Sequence, residues 1–172
     1  RTIQLHRLTV QWNHRRPNNR RPNNPIQRRS QLAHRLPFAM TTGHKEPLVS
    51  VIVPAYNCDR YIAEALASLS NQTVKDIEII VVDDASTDHT AEIVAAHAAS
   101  DPRIRLVRRQ SASGRPSCAR NDGLRAARGE YVALLDADDV SLPTRLASCV
   151  AAMRRTGARF AFADYQHLHQ AT

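Results

Sequence analysis

From Leu48 onward the apolar positions switch repeatedly between two periods, and the switches mark out the elements. Val49-Ser50-Val51-Ile52-Val53 is a short β-branched run stopped by Pro54, which predicts a strand. Over Arg60 to Ser70 the apolar residues Tyr61, Ile62, Ala65, Leu66 and Leu69 fall on one stripe of a 3.6-residue period, which predicts a helix. The same reading gives a strand at Ile77–Val82, a helix at Thr87–Ala99 and a strand at Arg103–Val107. It continues with a helix at Ser117–Ala127, ending near Gly129, where a terminating glycine is expected. A strand at Tyr131–Leu135, a helix at Leu142–Arg155 closed by Gly157 and a last strand at Arg159–Ala163 complete a βαβαβαβαβ order. Because Ile79-Ile80-Val81-Val82 is apolar at both parities, both faces of its sheet must be covered. The expectation is an α/β fold with a mostly parallel sheet and helices on both faces. Ligands of such sheets bind beyond the carboxyl ends of the strands.

What stands at those ends is polar and acidic. The first strand runs into Pro54-Ala55-Tyr56-Asn57, the second into Asp83-Asp84-Ala85-Ser86-Thr87-Asp88, and the fourth, Tyr131–Leu135, into Asp136-Ala137-Asp138-Asp139. Three carboxylates within four residues do not belong in a core, since an unpaired buried carboxylate is strongly disfavoured. The two acids of Asp136-Ala137-Asp138 share one parity and reach one side of a crevice, where their hard oxygens suit Mg²⁺ or Mn²⁺ beside a diphosphate. Tyr56 offers a ring for a nucleobase and Asp83 a carboxylate that would accept a base imide N–H. Each residue also has a plainer role: Asp83, Asp84, Ser86 and Asp88 suit caps of the following helix, Tyr56 a packed rim, and Arg120 a surface pair with Asp122 or Glu130.

Charge is distributed unevenly. The 172 residues carry 24 Lys plus Arg against 16 Asp plus Glu, but ten of the basic residues and one acid stand in residues 1–46, giving +9 there and −1 in the remainder. This basic arm repeats Arg-Arg-Pro-Asn-Asn at Arg15–Asn19 and Arg20–Asn24 and has the composition of a disordered tail, so residues 1–46 are expected to be an arm and 47–172 the folded domain. Met40, just before the first regular segment, is a candidate natural start, with residues 1–39 then not native. A nucleic-acid partner is not expected, because aromatic interleaving in the arm is confined to Trp12. His167 and His169 share a strand parity but lack a third ligand. Three widely spaced cysteines, Cys58, Cys118 and Cys149, support neither a disulfide framework nor a zinc site and fit a reducing, cytoplasmic setting. No signal peptide is recognised and no apolar run approaches a bilayer span, so association with the inner face of the plasma membrane would require sequence outside this chain.

Several enzyme classes drop out. No Gly-x-Gly-x-x-Gly follows the first strand and no Gly-x-x-x-x-Gly-Lys-Ser/Thr occurs, which removes dinucleotide and P-loop readings. A phospho-receiver domain would leave the later acids unexplained. A haloacid-dehalogenase-like phosphatase, with Asp136 as nucleophile and Asp138 beside it, is the closer alternative, although that motif normally follows the first strand and here follows the fourth.

Four segments in order, Val49–Asn57, Ile79–Asp88, Ala119–Leu124 and Gly129–Asp139, resemble the family 2 glycosyltransferases with the Rossmann-like GT-A fold. The resemblance covers about Pro47 to Tyr165, the nucleotide-sugar-binding half of such enzymes. It implies a donor site in which Pro54, Ala55 and Tyr56 form the base-binding wall and Asp83 holds the base edge. Arg115 and Arg120 would lie near the donor, Asp138 would be the principal metal ligand, and Asp136 would touch metal or ribose. It also implies transfer of a sugar, with inversion, from a nucleotide-diphosphate sugar, first of all a UDP-sugar, to a glycan, lipid-linked or protein acceptor. The chain departs from the family in reading Gln110-Ser111-Ala112-Ser113-Gly114-Arg115-Pro116 where an Asn-x-Gly is usual. The family's catalytic base comes from a second half, so here it is expected beyond Thr172; Asp164, on the last strand, suits a donor-sugar or structural role. The chain is therefore expected to be a truncated donor-binding half, with an inactive nucleotide-sugar-binding fragment as the other outcome.

Overall fold

The computed structural model describes residues 2–9 and 46–167. In chain order the elements are β1 (Thr2–Thr9), β2 (Val49–Ala55), α1 (Asp59–Ser70), β3 (Ile77–Asp83), α2 (Thr90–Ser100) and β4 (Ile104–Arg108). They continue with α3 (Pro116–Ala126), β5 (Tyr131–Leu134), β6 (Val140–Ser141), α4 (Arg145–Thr156) and β7 (Phe162–His167). Four strands form one parallel sheet in the order β4-β3-β2-β5, so the first two strands of the α/β series lie at its centre. Both are buried at every position, as their unbroken apolar runs require.

Register sorts the side chains onto two faces. Val51 stands opposite Ile79 on one side and Ala133 on the other, and that parity gathers Val49, Val51, Val53, Ile77, Ile79 and Val81 into one core with Leu66 and Leu69 of α1, Val94 of α2 and Leu146 of α4. Full burial of each such side chain is worth about 1.5–3 kcal/mol. The opposite parity, Ile80 and Val82, packs under Ala119 of α3. Helix α3 can lie this close because Gly123 has no side chain: a Cβ there would stand 2.4 Å from Ile52 Cγ2. Helices thus cover both faces, as expected for the α/β class.

Element bounds depart from expectation where polar side chains redirect the backbone. Helix α2 starts at Thr90 rather than Thr87 because Asp88 accepts the N–H groups of both Thr90 and Asp59 (3.0 Å each), making residues 86–89 a capping turn. Helix α4 starts at Arg145 rather than Leu142 because the Pro143 carbonyl is taken by the Thr73 N–H at 2.8 Å. It closes as expected at Gly157, in the left-handed region at φ 69°.

A second sheet, β6-β1-β7, was not foreseen. Strand β1 pairs in parallel with β6 (Ile3 with Val140) and antiparallel with β7 (Thr2 with His167, Thr9 with Phe162), with a register shift between Gln4 and Leu8. The expectation of an unstructured arm therefore fails over Thr2–Thr9. Composition averaged over 46 residues hid a short segment whose backbone groups complete a ladder. The last strand likewise joins this small sheet, and at Phe162–His167 rather than Arg159–Ala163. The repeats of the arm, Trp12, Met40 and His169 lie outside the described residues. Among the described residues no helix is long and apolar enough to cross a membrane.

Candidate functional site

Strands β2 and β3 deliver their loops side by side, because Ala55 and Asp83 are register partners. The loops are then clasped: the Asn57 N–H donates to Ser86 Oγ (3.0 Å), the Thr87 N–H to Asn57 Oδ1 (2.8 Å) and the Cys58 N–H to Thr90 Oγ1 (2.9 Å). Asn57 and Ala85 both adopt positive φ, 47° and 60°, a conformation L-residues leave unless surroundings hold it. On the other side of β2, the Leu135 N–H donates to the Ile52 carbonyl at 3.1 Å, so the acidic turn begins beside the β2 exit. Its Asp139 N–H closes onto the Asp136 carbonyl at 3.0 Å.

These exits and the start of α3 surround a cleft of about 510 Å³. Of the residues expected from sequence, Pro54, Ala55, Tyr56, Arg115, Arg120, Asp136 and Asp138 line it together. Tyr56 is half exposed on its rim. Asp83 does not line it. Its carboxylate is fully buried, with Oδ1 accepting the Ser86 N–H (3.1 Å) and Oδ2 in ionic contact with Arg108 Nε (3.4 Å) but without a hydrogen bond. The plainer role applies to Asp88, which caps; Ser86 does not cap the helix but ties the loops by accepting the Asn57 N–H. Arg120 pairs with neither Asp122 nor Glu130; its Nη2 lies 2.6 Å from Asp136 Oδ1 across the cleft, while Asp122 serves Arg109 and Arg125, and Glu130 serves Arg154.

Asp84 is the acid of the Asp83-Asp84 pair that lines the cleft, and sequence reasoning gave it only a capping role. Both its oxygens accept the Ser113 N–H (3.1 and 3.0 Å), Oδ2 also accepts the Ser113 hydroxyl (2.7 Å), and Arg109 Nε stands 2.7 Å from Oδ1. This anchors the loop of unusual sequence. Gly114, at φ 67°, and Arg115 lie in the cleft wall, and Pro116 opens α3 in its first turn. The start of α3 has no side-chain cap, and Pro116, Ala119 and Arg120 of its first turns line the cleft. Parity could have found Asp84: it continues the alternation of Ile80 and Val82 onto the α3 side. Asn57, Cys58 and Tyr61 also line the cleft and had no sequence signal beyond proximity to Tyr56.

Cys58 is not poised as a nucleophile. Burial pushes its thiol up, and the nearby charges of Asp88 and Asp138 act in the same direction, against hydrogen bonds with Thr90 and Tyr56. All three cysteines are free. Among the described residues no group of three or more His, Cys, Asp or Glu side chains is placed to hold a metal ion. Of the three carboxylates in the cleft, Asp136 and Asp138 nevertheless fit a hard cation that arrives with phosphate oxygens, which is how Mg²⁺ is commonly bound.

The sequence-family profile for glycosyl transferase family 2 matches residues 50–167. Chondroitin synthase of Escherichia coli is 38% identical over 109 residues, covering 63% of this chain and 16% of that protein. Among solved structures, S. aureus TarS residues 1–349 in complex with UDP-GlcNAc superposes with a TM-score of 0.59 at 35% identity, covering 63% of this chain and 32% of that one. The mannosyltransferase PcManGT from Pyrobaculum calidifontis in complex with GDP-Man and Mn²⁺ gives a TM-score of 0.50 at 34% identity, covering 66% and 34%. Fold and cleft together define a GT-A-like class of α/β domain. The chain belongs to glycosyl transferase family 2. That membership displaces the phosphatase alternative. The chain spans well under two thirds of the length of these relatives.

Proposed function

We propose that this domain binds a nucleoside-diphosphate sugar, with UDP as the nucleotide, for an enzyme that transfers the sugar to an acceptor hydroxyl with inversion. The observation that carries the reading is the meeting of Tyr56, Arg115, Arg120, Asp136 and Asp138, from three separate parts of the sequence, in one cleft. Tyr56, with Pro54 and Ala55, gives the base an apolar wall. Asp84 is committed to Ser113, so the buried Oδ2 of Asp83 remains the acceptor without a hydrogen bond, and the base edge is assigned to it. Reaching it requires Arg108, whose side chain is 59% exposed, to swing aside.

Asp136 and Asp138 would hold Mg²⁺ or Mn²⁺, with the diphosphate completing the coordination. A divalent cation, when bound, supplies Lewis-acid stabilisation of the leaving diphosphate. Arg115, Arg120 and the uncapped start of α3 add positive potential where that negative charge grows. In the transfer, the acceptor oxygen bonds to the anomeric carbon as the bond to the diphosphate breaks. The diphosphate leaves with the electron pair and the acceptor proton passes to a carboxylate base. That base and the acceptor contacts are assigned to residues outside this chain.

UDP is favoured by the TarS neighbour and a divalent ion by the PcManGT neighbour, each through its bound ligand. A glycan acceptor is favoured by the chondroitin synthase relative, and a cytoplasmic setting by the three free thiols. Calorimetric titration of UDP, GDP, dTDP and CDP, each with and without Mn²⁺, tests the reading. Binding of UDP strengthened by Mn²⁺ is expected, and no binding of any diphosphate would contradict it.

A further inference from the structure

The acidic turn is held at its two ends by different neighbours. At the start, the Leu135 N–H donates to Ile52 of β2; at the end, the Ser141 N–H donates to Ser68 Oγ of α1 at 3.0 Å. Arg145, the first residue of α4, joins these ends from beneath. Its Nε donates to Ser141 Oγ (2.8 Å) and its Nη1 reaches the Leu134 carbonyl (3.4 Å), so one planar guanidinium spans the turn from strand exit to strand return. The residue is only 8% exposed, and its Nη2 is buried without a hydrogen bond. A buried guanidinium is a costly way to fill space, and apolar residues would pack there with less penalty. Gln72, fully buried at the end of α1, holds the same Ser141 from the other side. Its Nε2 lies within reach of Ser141 Oγ (3.1 Å) and the Leu142 carbonyl (2.8 Å), and its Oε1 accepts the Leu146 N–H at 3.2 Å.

We propose that Arg145, backed by Gln72, is the positioning residue of the Asp136–Asp139 turn, fixing the span between Leu134 and Ser141 and with it the presentation of both Asp-x-Asp carboxylates. The consequence for cation binding rests on the donor-site reading above; the mechanical role does not. Lysine retains the charge but offers no fork, so it cannot bridge both ends.

The test compares Arg145→Lys and Arg145→Met with the wild-type 172-residue chain by amide hydrogen exchange and by UDP titration with and without Mn²⁺. Exchange at Leu135, Asp139 and Ser141 is expected to rise about tenfold or more in both variants, with β2 and β3 interior amides unchanged. The Mn²⁺-dependent gain in UDP affinity is expected to fall about tenfold, with Mn²⁺-free affinity within about twofold of wild type. Unchanged exchange in the turn overturns the proposal, as does a uniform rise across the sheet, which would mark Arg145 as general packing. If Arg145→Met does not fold, Ser141→Ala removes the hydroxyl that Arg145 Nε and Gln72 Nε2 share while leaving both side chains in place, and it must still loosen the turn selectively. A wild-type chain that binds no nucleotide would sink the donor-site reading while the exchange data still decide the role of Arg145.

Discussion

Arg120 Nη2 lies 2.6 Å from Asp136 Oδ1, tying the second turn of α3 to the first acid of the Asp-x-Asp turn. Both side chains keep substantial exposure, 36% and 50%, so the pair contributes little to stability. Its value lies in holding a cation side chain at the mouth of the cleft. Arg120→Ala is expected to change unfolding free energy by about 0–1 kcal/mol while weakening diphosphate binding about tenfold, roughly 1.4 kcal/mol. Thermal unfolding and calorimetry on the same preparation check both halves, and an unchanged affinity would remove Arg120 from the site.

The two acids after β3 have separable tasks. Asp83→Asn places an amide where the base edge is assigned an acceptor, and is expected to lower affinity for UDP with little effect on the loop. Asp84→Asn weakens the anchoring of Ser113 and Arg109 and is expected to expose the 109–115 loop to limited proteolysis. Equal protease resistance in the two variants would mean that Asp84 does not hold the loop.

Gly129 marks where the chain must pass close to β2. A Cβ there would stand 2.6 Å from Ser50 N and 2.9 Å from Ser50 Oγ, the hydroxyl that accepts the Gly129 N–H and donates to Glu78. Because the obstacle is backbone, Gly129→Ala is expected to destabilise by about 1–3 kcal/mol, read as a lower urea midpoint. A midpoint equal to wild type would show that β5 can start elsewhere.

Acid should unfold the domain through identifiable carboxylates. Burial alone would raise Glu78, but hydrogen bonds from the Ser50 hydroxyl, the Arg128 N–H and the Arg128 guanidinium outweigh it and hold Glu78 below its ordinary value. Asp101 is held well below the usual carboxylate range, chiefly by the Arg103 guanidinium, against burial. Both bind protons less readily when folded, so their stabilisation is complete above the unfolded carboxylate range of about 4 and is lost as pH falls through their lower folded values. Tm should therefore be insensitive to these two groups between about pH 5 and 7 and fall below about pH 4. Glu78→Gln should have a shallower acid slope; an identical slope would remove Glu78 from the account.

The legible part of the sequence was the part written in local periods. Val49–Val53 and Ile77–Val82 declared central strands because nothing polar interrupts them except Ser50 and Glu78, which turn out to bond each other at 2.7 Å. The acids at 136–139 and Tyr56 were legible because strand ends in a parallel sheet share one rim. What escaped was non-local. Gln72 and Ser141 stand 69 residues apart and Ser113 stands 29 from Asp84, and neither pair has a signature in its own neighbourhood. The pairing of Thr2–Thr9 was hidden for the same reason: strand partners supply the order that an arginine-rich composition argues against. Placement of Asp83 was decided by parity, since it continues the Ile79 and Val81 side of β3, the face packed under α1, and not the face that opens on α3.

Asp138 carries the central claim, that acids distant in sequence form one cation-assisted diphosphate site. The direct measurement is the thermal shift given by UDP with Mn²⁺ on wild type and Asp138→Ala. At ligand about one hundred times Kd, wild type should gain about 2.7 kcal/mol, a gain that is sharply reduced without Mn²⁺ and, with Mn²⁺, falls in the variant to the metal-free level. A variant that keeps the full Mn²⁺-dependent shift would contradict the account.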